Sequence, residues 1–197
     1  MYTSEETSFS IKDGRQGFNF AGFQIIQIRK KVVGRYKIKI VPHRIVKKQF
    51  LQKVHNVVLY YKAASSFQLI KKLSPIIIGW ANYYKFCECS MTFSKMDHCI
   101  FLKIRAWVFR RDTTNSKYLV KEKYFQFGKI YLYNGVEYED NWVLVGKKKI
   151  QKEKSSISEN FLPRMRWVRS VKHTKVKGNK SPCDVDTLYW VLRIVKY

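Results

Sequence analysis

The stretch from Leu69 to Arg111, LIKKLSPIIIGWANYYKFCECSMTFSKMDHCIFLKIRAWVFRR, constrains the chain more than any other. It reads as two amphipathic helices, both aromatic and both basic. Ser74-Pro75 is expected to open the first. Ser is a favoured N-cap, and Pro at the next position gives up only an N–H that has no helical partner. Ile77, Trp80, Ala81 and Tyr84 then recur at helical spacing. Ser94, with Asp97 three residues on, has the pattern of a capping box and is expected to open the second helix. Met96, Ile100, Ile104, Trp107 and Val108 make its apolar stripe. Lys103, Arg105, Arg110 and Arg111 lie off that stripe, the last two where the helix dipole favours cations.

On the N-terminal side, FNFAGFQIIQI is a short apolar run with Gly22 inside it, and GRYKIKIVP alternates as a strand does. Gly34 is expected to turn a hairpin between them, and Pro42 to end it. Val46, Phe50, Val54, Val57, Val58 and Tyr61 form another helical stripe, with Lys47, Lys48 and Lys53 off it. Ala63 to Ser66 breaks that pattern, and Phe67 to Leu73 reads as a short helix of its own. Asp112 to Ser116 is a polar turn and Lys117 to Phe127 one more short helix.

Beyond it the period changes to two. KIYLY, Asn134-Gly135 and VEYE form a hairpin signal, since Asn-Gly suits a type I′ turn, and NWVLVG is expected to add a third strand. Residues 146–160 are polar and charged and read as a linker or insertion. A basic segment follows, then a Ser181-Pro182 turn and a final helix capped by Asp186. The expected fold class is α+β. Residues 1–42 form a β-hairpin, 43–127 a helical bundle, and 128–197 a basic region with a small hairpin and a short last helix.

The formal net charge of +25 on 197 residues asks for a polyanionic partner, because neutralising phosphates releases counterions. No charge-free run approaches the ~20 residues of a spanning helix, so no membrane is expected among the partners. The first residues, MYTSEETSFSIKDG, contain acids and no apolar core, unlike a secretory signal or an Arg-rich transit peptide. Cys87, Cys89, Cys99 and Cys183 form no C-x-x-C pair and are read as reduced thiols. The abundance of Lys, Ile, Tyr, Phe and Asn suggests an AT-rich genome. An organelle is therefore expected, a plastid before a mitochondrion, with a bacterial cytoplasm as the alternative.

The blocks LSPIIIGWANYYKF and FSKMDHCIFLKIRAWVFRR resemble domain X, the thumb or maturase domain of group II intron-encoded reverse transcriptases. GFNFAGFQI is similar to the Gly-Phe-x-Phe-x-Gly-Phe block at the end of the palm in these enzymes, and Ser4-Glu5-Glu6-Thr7 resembles the segment before it. Lys172-His173-x-Lys175-Val176-Lys177-Gly178, Ser181-Pro182-x-Asp184-x-Asp186 and Tyr189-Trp190 resemble the C-terminal border of the maturase region. The resemblance implies an end of palm, a thumb and a C-terminal segment. It also implies a protein that binds group II intron RNA and stabilises its fold without bond chemistry.

Polymerase activity in the family needs adjacent palm aspartates in a Tyr-x-Asp-Asp turn, which hold two metal ions that clamp the attacking and leaving oxygens. The sequence has no Asp-Asp. Its nearest mimic, Tyr138-Glu139-Asp140-Asn141, lies beyond the thumb-like stretch. The chain begins after the palm aspartates and ends where a His-Asn-His endonuclease would begin, so neither activity is expected. Its histidines are scattered, and a general base needs an orienting partner. No catalytic residue, metal, cofactor or small-molecule substrate is expected, and Asp184 and Asp186 read as turn and cap residues.

Three RNA-contacting surfaces are expected: Lys71, Lys72 and Lys85; Lys103, Arg105, Arg110 and Arg111; and Arg164, Arg166, Arg169, Lys172, His173, Lys175 and Lys177. Cations set affinity for phosphate, and aromatic rings can stack on unpaired bases. Trp80, Tyr83, Tyr84 and Trp107 sit on or near the apolar stripes and read as core before stacking platforms. The alternatives are the C-terminal fragment of a split reverse transcriptase, partnered by a separately encoded palm, and a relic that binds nucleic acid generally.

Overall fold

The computed structural model describes residues 17–29, 36–149 and 157–171. Three antiparallel strands open it: β1 (Gly17–Phe20), β2 (Phe23–Arg29) and β3 (Tyr36–Pro42), in the order β1-β2-β3. Gly22 is therefore a turn residue and not an interruption within one strand. Ala21 at φ 47° and Gly22 at φ 80° reverse the chain between β1 and β2. Strand β2 then pairs with β3 from Phe23↔Pro42 to Arg29↔Tyr36. Gly34 lies outside the described residues.

The Ala21-Gly22 turn is held against the helices. Tyr83 Oη donates to the Ala21 carbonyl at 3.0 Å, His43 N–H donates to the Gly22 carbonyl at 2.8 Å, and Phe23 packs on Tyr83 and Tyr84. A Cβ on Gly22 would lie 2.6 Å from Tyr84 Oη. Backbone conformation and close approach both demand glycine here.

Four helices follow: α1 (Arg44–Tyr60), α2 (Ser66–Tyr84), α3 (Ser90–Arg111) and α4 (Lys117–Tyr124). Two expected helix starts are displaced. Helix α2 begins eight residues before Pro75's partner Ser74, at a capping box of Ser65 and Gln68, and runs straight through Pro75. Ser74 does not cap; its hydroxyl donates to the Ile70 carbonyl at 2.8 Å. An interior Pro costs about 3 kcal/mol. Leu69, Ile70, Leu73, Ile77, Ala81 and Tyr84 are buried in one unbroken stripe across it, and each large apolar side chain contributes about 1.5–3 kcal/mol. Packing therefore outweighs the proline, and the short helix expected at Phe67 to Leu73 is the first half of α2.

Helix α3 begins at Ser90, so Ser94 is interior and Asp97 does not cap. Tethers at both ends align α3 with α1. Trp107 Nε1 donates to the Tyr61 carbonyl at 3.2 Å, and just before the two helices Glu88 N–H donates to the Ile40 carbonyl at 3.0 Å. They run parallel and pack on each other, and α2 runs back beside α1, its Trp80 near the end against Phe50 near the start of α1. Ser116 caps α4 by accepting from Leu119 N–H.

The Asn134-Gly135 turn, at φ 49° and 75°, joins β4 (Ile130–Tyr133) to β5 (Val136–Glu139) as expected. The NWVLVG segment does not extend that hairpin. Its end enters β6 (Val145–Lys149), which pairs with β7 (Ile157–Phe161). Both ends of the supposed linker at 146–160 are thus strand. The position of β6 is set by Gly146, where a Cβ would lie 2.5 Å from the Phe67 backbone nitrogen at the start of α2. Leu144, Leu162, Met165 and Val168 join the core of the helices, and Tyr131, Val143, Val145 and Trp167 make a second, smaller core. No helix among the described residues is long and apolar enough to cross a membrane.

Candidate nucleic-acid interface

Helices α1, α2 and α3 carry eleven Lys and Arg side chains and one carboxylate, Asp97. That carboxylate is buried. It accepts from Met165 N–H at 2.9 Å and Arg166 N–H at 3.1 Å, pinning the short turn at Met165–Trp167 to α3. Burial pushes its carboxyl above the usual range, although the two N–H donors and the nearby Arg164 and Arg166 pull the other way. The outward surface of the three helices is left with cations and no anion.

The expected RNA-contacting residues separate by what they touch. Lys71, Lys72 and Arg110 are exposed and bond to nothing else among the described residues. Arg105 is exposed, with its guanidinium over Phe109, and Lys103 is half-buried. Lys85 is half-buried at the end of α2, over Phe86, and its carbonyl accepts from Val171 N–H at 2.7 Å. Arg169 is exposed.

Three arginines are turned to internal work instead. Arg111 donates to the carbonyls of Lys62, Ala63 and Ala64 and covers Trp107, so it holds the α1–α2 corner. Arg164 pairs with Asp140 at 2.6 Å, its side chain 16% exposed against 4% for the carboxylate. Arg166 also pairs with Asp140 from a half-exposed position. Lys172, His173, Lys175 and Lys177 lie outside the described residues, as do Asp184, Asp186 and the expected final helix.

The Asp140 that mimicked a polymerase motif is therefore an ion-pair acceptor, and it also takes the Trp142 N–H at 3.0 Å. Tyr84 and Trp107 are buried core and Trp80 is half-buried, packed against Phe50, Tyr84 and Phe93. Tyr83 is exposed but donates to the hairpin turn. Cys87, Cys89 and Cys99 are free thiols. The described residues contain no group of three or more His, Cys, Asp or Glu arranged to hold a metal ion.

Residues 47–125 match the family model described as the group II intron, maturase-specific domain. The match takes in α2, α3 and α4 entire and all but the first three residues of α1. No curated protein matches the chain.

Proposed function

We propose that this chain, a member of the group II intron maturase family through its domain at residues 47–125, grips a folded intron RNA and supports splicing without performing bond chemistry. The observation that carries this reading is the charge inventory of α1, α2 and α3. A surface of many cations with its one carboxylate withdrawn into the core suits phosphates and suits no basic or neutral partner. Lys71, Lys72, Arg105 and Arg110 are the side chains free to make those contacts. The residue bias of the chain supports an organelle, a plastid first, as its place of work.

Filter binding of the full chain to a group II intron transcript over a salt series tests the reading. Affinity should fall steeply as salt rises. Absence of binding at low salt overturns it, and equal affinity for ribosomal RNA would favour a general nucleic-acid binder. Primer extension by the purified chain would overturn the non-catalytic part.

A separately encoded palm is a second reading with its own observation. Phe20 and Ile38 of the N-terminal sheet stand 68% and 66% exposed, as they would where a sheet continues into a partner. Recovery of a palm-containing chain with this one on native purification tests it.

A further inference from the structure

Arg44, Lys47 and Lys95 gather where α1 and α3 start side by side. None of the three was among the cations the sequence singled out for RNA contact. Arg44 and Lys47 stand one helical turn apart on α1, which packs on α3; Glu88 N–H donates to the Ile40 carbonyl at 3.0 Å just before the two helices, and the charge of Lys95 on α3 reaches Lys47. Arg44 and Lys95 are exposed, while Lys47 is half-buried between the helices. Among the described residues none is in an ion pair, and α1 contains no acid. The sole acid of α3, Asp97, is occupied by backbone N–H groups of residues 165 and 166.

Such an arrangement works against the folded chain alone. Burial, then the neighbouring charges of Lys95 and Arg44, hold the Lys47 ammonium below the usual lysine range. Among the described residues no carboxylate pairs with these three cations to offset their repulsion.

Resting on the reading of this chain as an intron-RNA binder, we propose that Arg44, Lys47 and Lys95 form a phosphodiester site in which one or two backbone phosphates of the RNA bridge α1 and α3. Lys47 supplies a partly desolvated ammonium at the base of the site, where its attraction for phosphate is screened least. Arg44 and Lys95 close on the phosphate oxygens from either side. A phosphate so held would join the two parallel helices at their starts, opposite the end that Trp107 and Arg111 already tie.

The test compares the full chain with the triple variant Arg44→Gln, Lys47→Gln, Lys95→Gln. A control triple, Lys37→Gln, Lys123→Gln, Lys129→Gln, removes equal charge from cations that are paired to carboxylates. The probes are a labelled single-stranded RNA oligonucleotide and vesicles containing an anionic phospholipid. The site triple should lower the slope of log affinity for RNA against log salt by about 0.7 per phosphate lost, and the control triple should not. Bound RNA should also protect Lys47 and Lys95 from an amine-acylating reagent. The melting temperature of the site triple should hold or rise, because repulsion is relieved. Equal slopes for the two triples, or loss of vesicle binding with RNA binding intact, overturns the site. Failure of the unmodified chain to bind any RNA instead overturns the function on which the site rests.

Discussion

Among the described residues, Arg164 and Arg166 reach a carboxylate, while Lys71, Lys72, Arg105 and Arg110 reach none. The difference between the strand-and-turn region and the helical bundle lies in where the acids are. Asp140 and Glu159 sit among the late strands and draw Arg164, Arg166, Lys129 and Lys147 onto themselves. Helices α1, α2 and α3 have no exposed carboxylate of their own, so Lys71, Lys72, Arg105 and Arg110 stay turned to solvent. Residue type alone does not assign a Lys or Arg to a ligand; the local supply of counter-charge does.

The comparison is most easily broken at Arg164. Arg164→Ala leaves Asp140 buried with only half-exposed Arg166 beside it, and should cost about 3 kcal/mol in denaturant unfolding. RNA affinity of the remaining folded protein should not change. A loss of affinity without loss of stability would place Arg164 with the ligand-facing cations after all.

Asp97→Asn comes next. The amide can accept from only one of the two N–H groups, and the unmatched donor should cost about 2 kcal/mol. Its pH dependence sharpens the point. Asp97 holds its proton more tightly folded than unfolded, so the stability it contributes is fully present below its unfolded pKa and declines as pH rises through the folded one. The gap between the native chain and the Asn variant should therefore narrow as pH rises from about 4. A gap that widens would mean that the backbone donors outweigh burial.

Arg111→Ala removes a guanidinium that three carbonyls share at an exposed corner, and should cost about 1 kcal/mol with a matching fall in melting temperature. Arg110→Ala, one residue away and unattached, should leave the melting temperature alone. The smallest effect on stability belongs to Lys71→Ala with Lys72→Ala, within about 0.5 kcal/mol of the native chain, with weaker and less salt-dependent RNA binding. Should this pair prove destabilising, the outer surface of α2 is not a free electrostatic face.

Local signals in the sequence were faithful where one residue type has one use. Asn134-Gly135 demanded a tight turn and makes one, and the stripes of α1 and α3 are buried as their spacing requires. They misled where two uses compete. Ser74-Pro75 and Ser94 with Asp97 look like helix starts, but a cap is only worth about 1 kcal/mol, and long-range packing overrides it. The stripe through Pro75 and the distant Met165 and Arg166 N–H groups are invisible at short range. The polar segment at 146–160 hid two strands because a run of three lysines and a Ser-Glu-Asn stretch show no apolar alternation, although Lys147 pairs with Glu159 across the sheet. The same limit blurred the interface. Sequence located the cations but not the carboxylates and carbonyls that claim Arg111, Arg164 and Arg166.

One consequence follows from the inward placement of Asp97. A polyanion arriving on α1, α2 and α3 meets no carboxylate of those helices that it must displace. There it exchanges with small ions from the surrounding solution. Capture and release are then governed by ionic conditions, and the helices can serve as a rigid platform that moulds its guest while keeping their own shape.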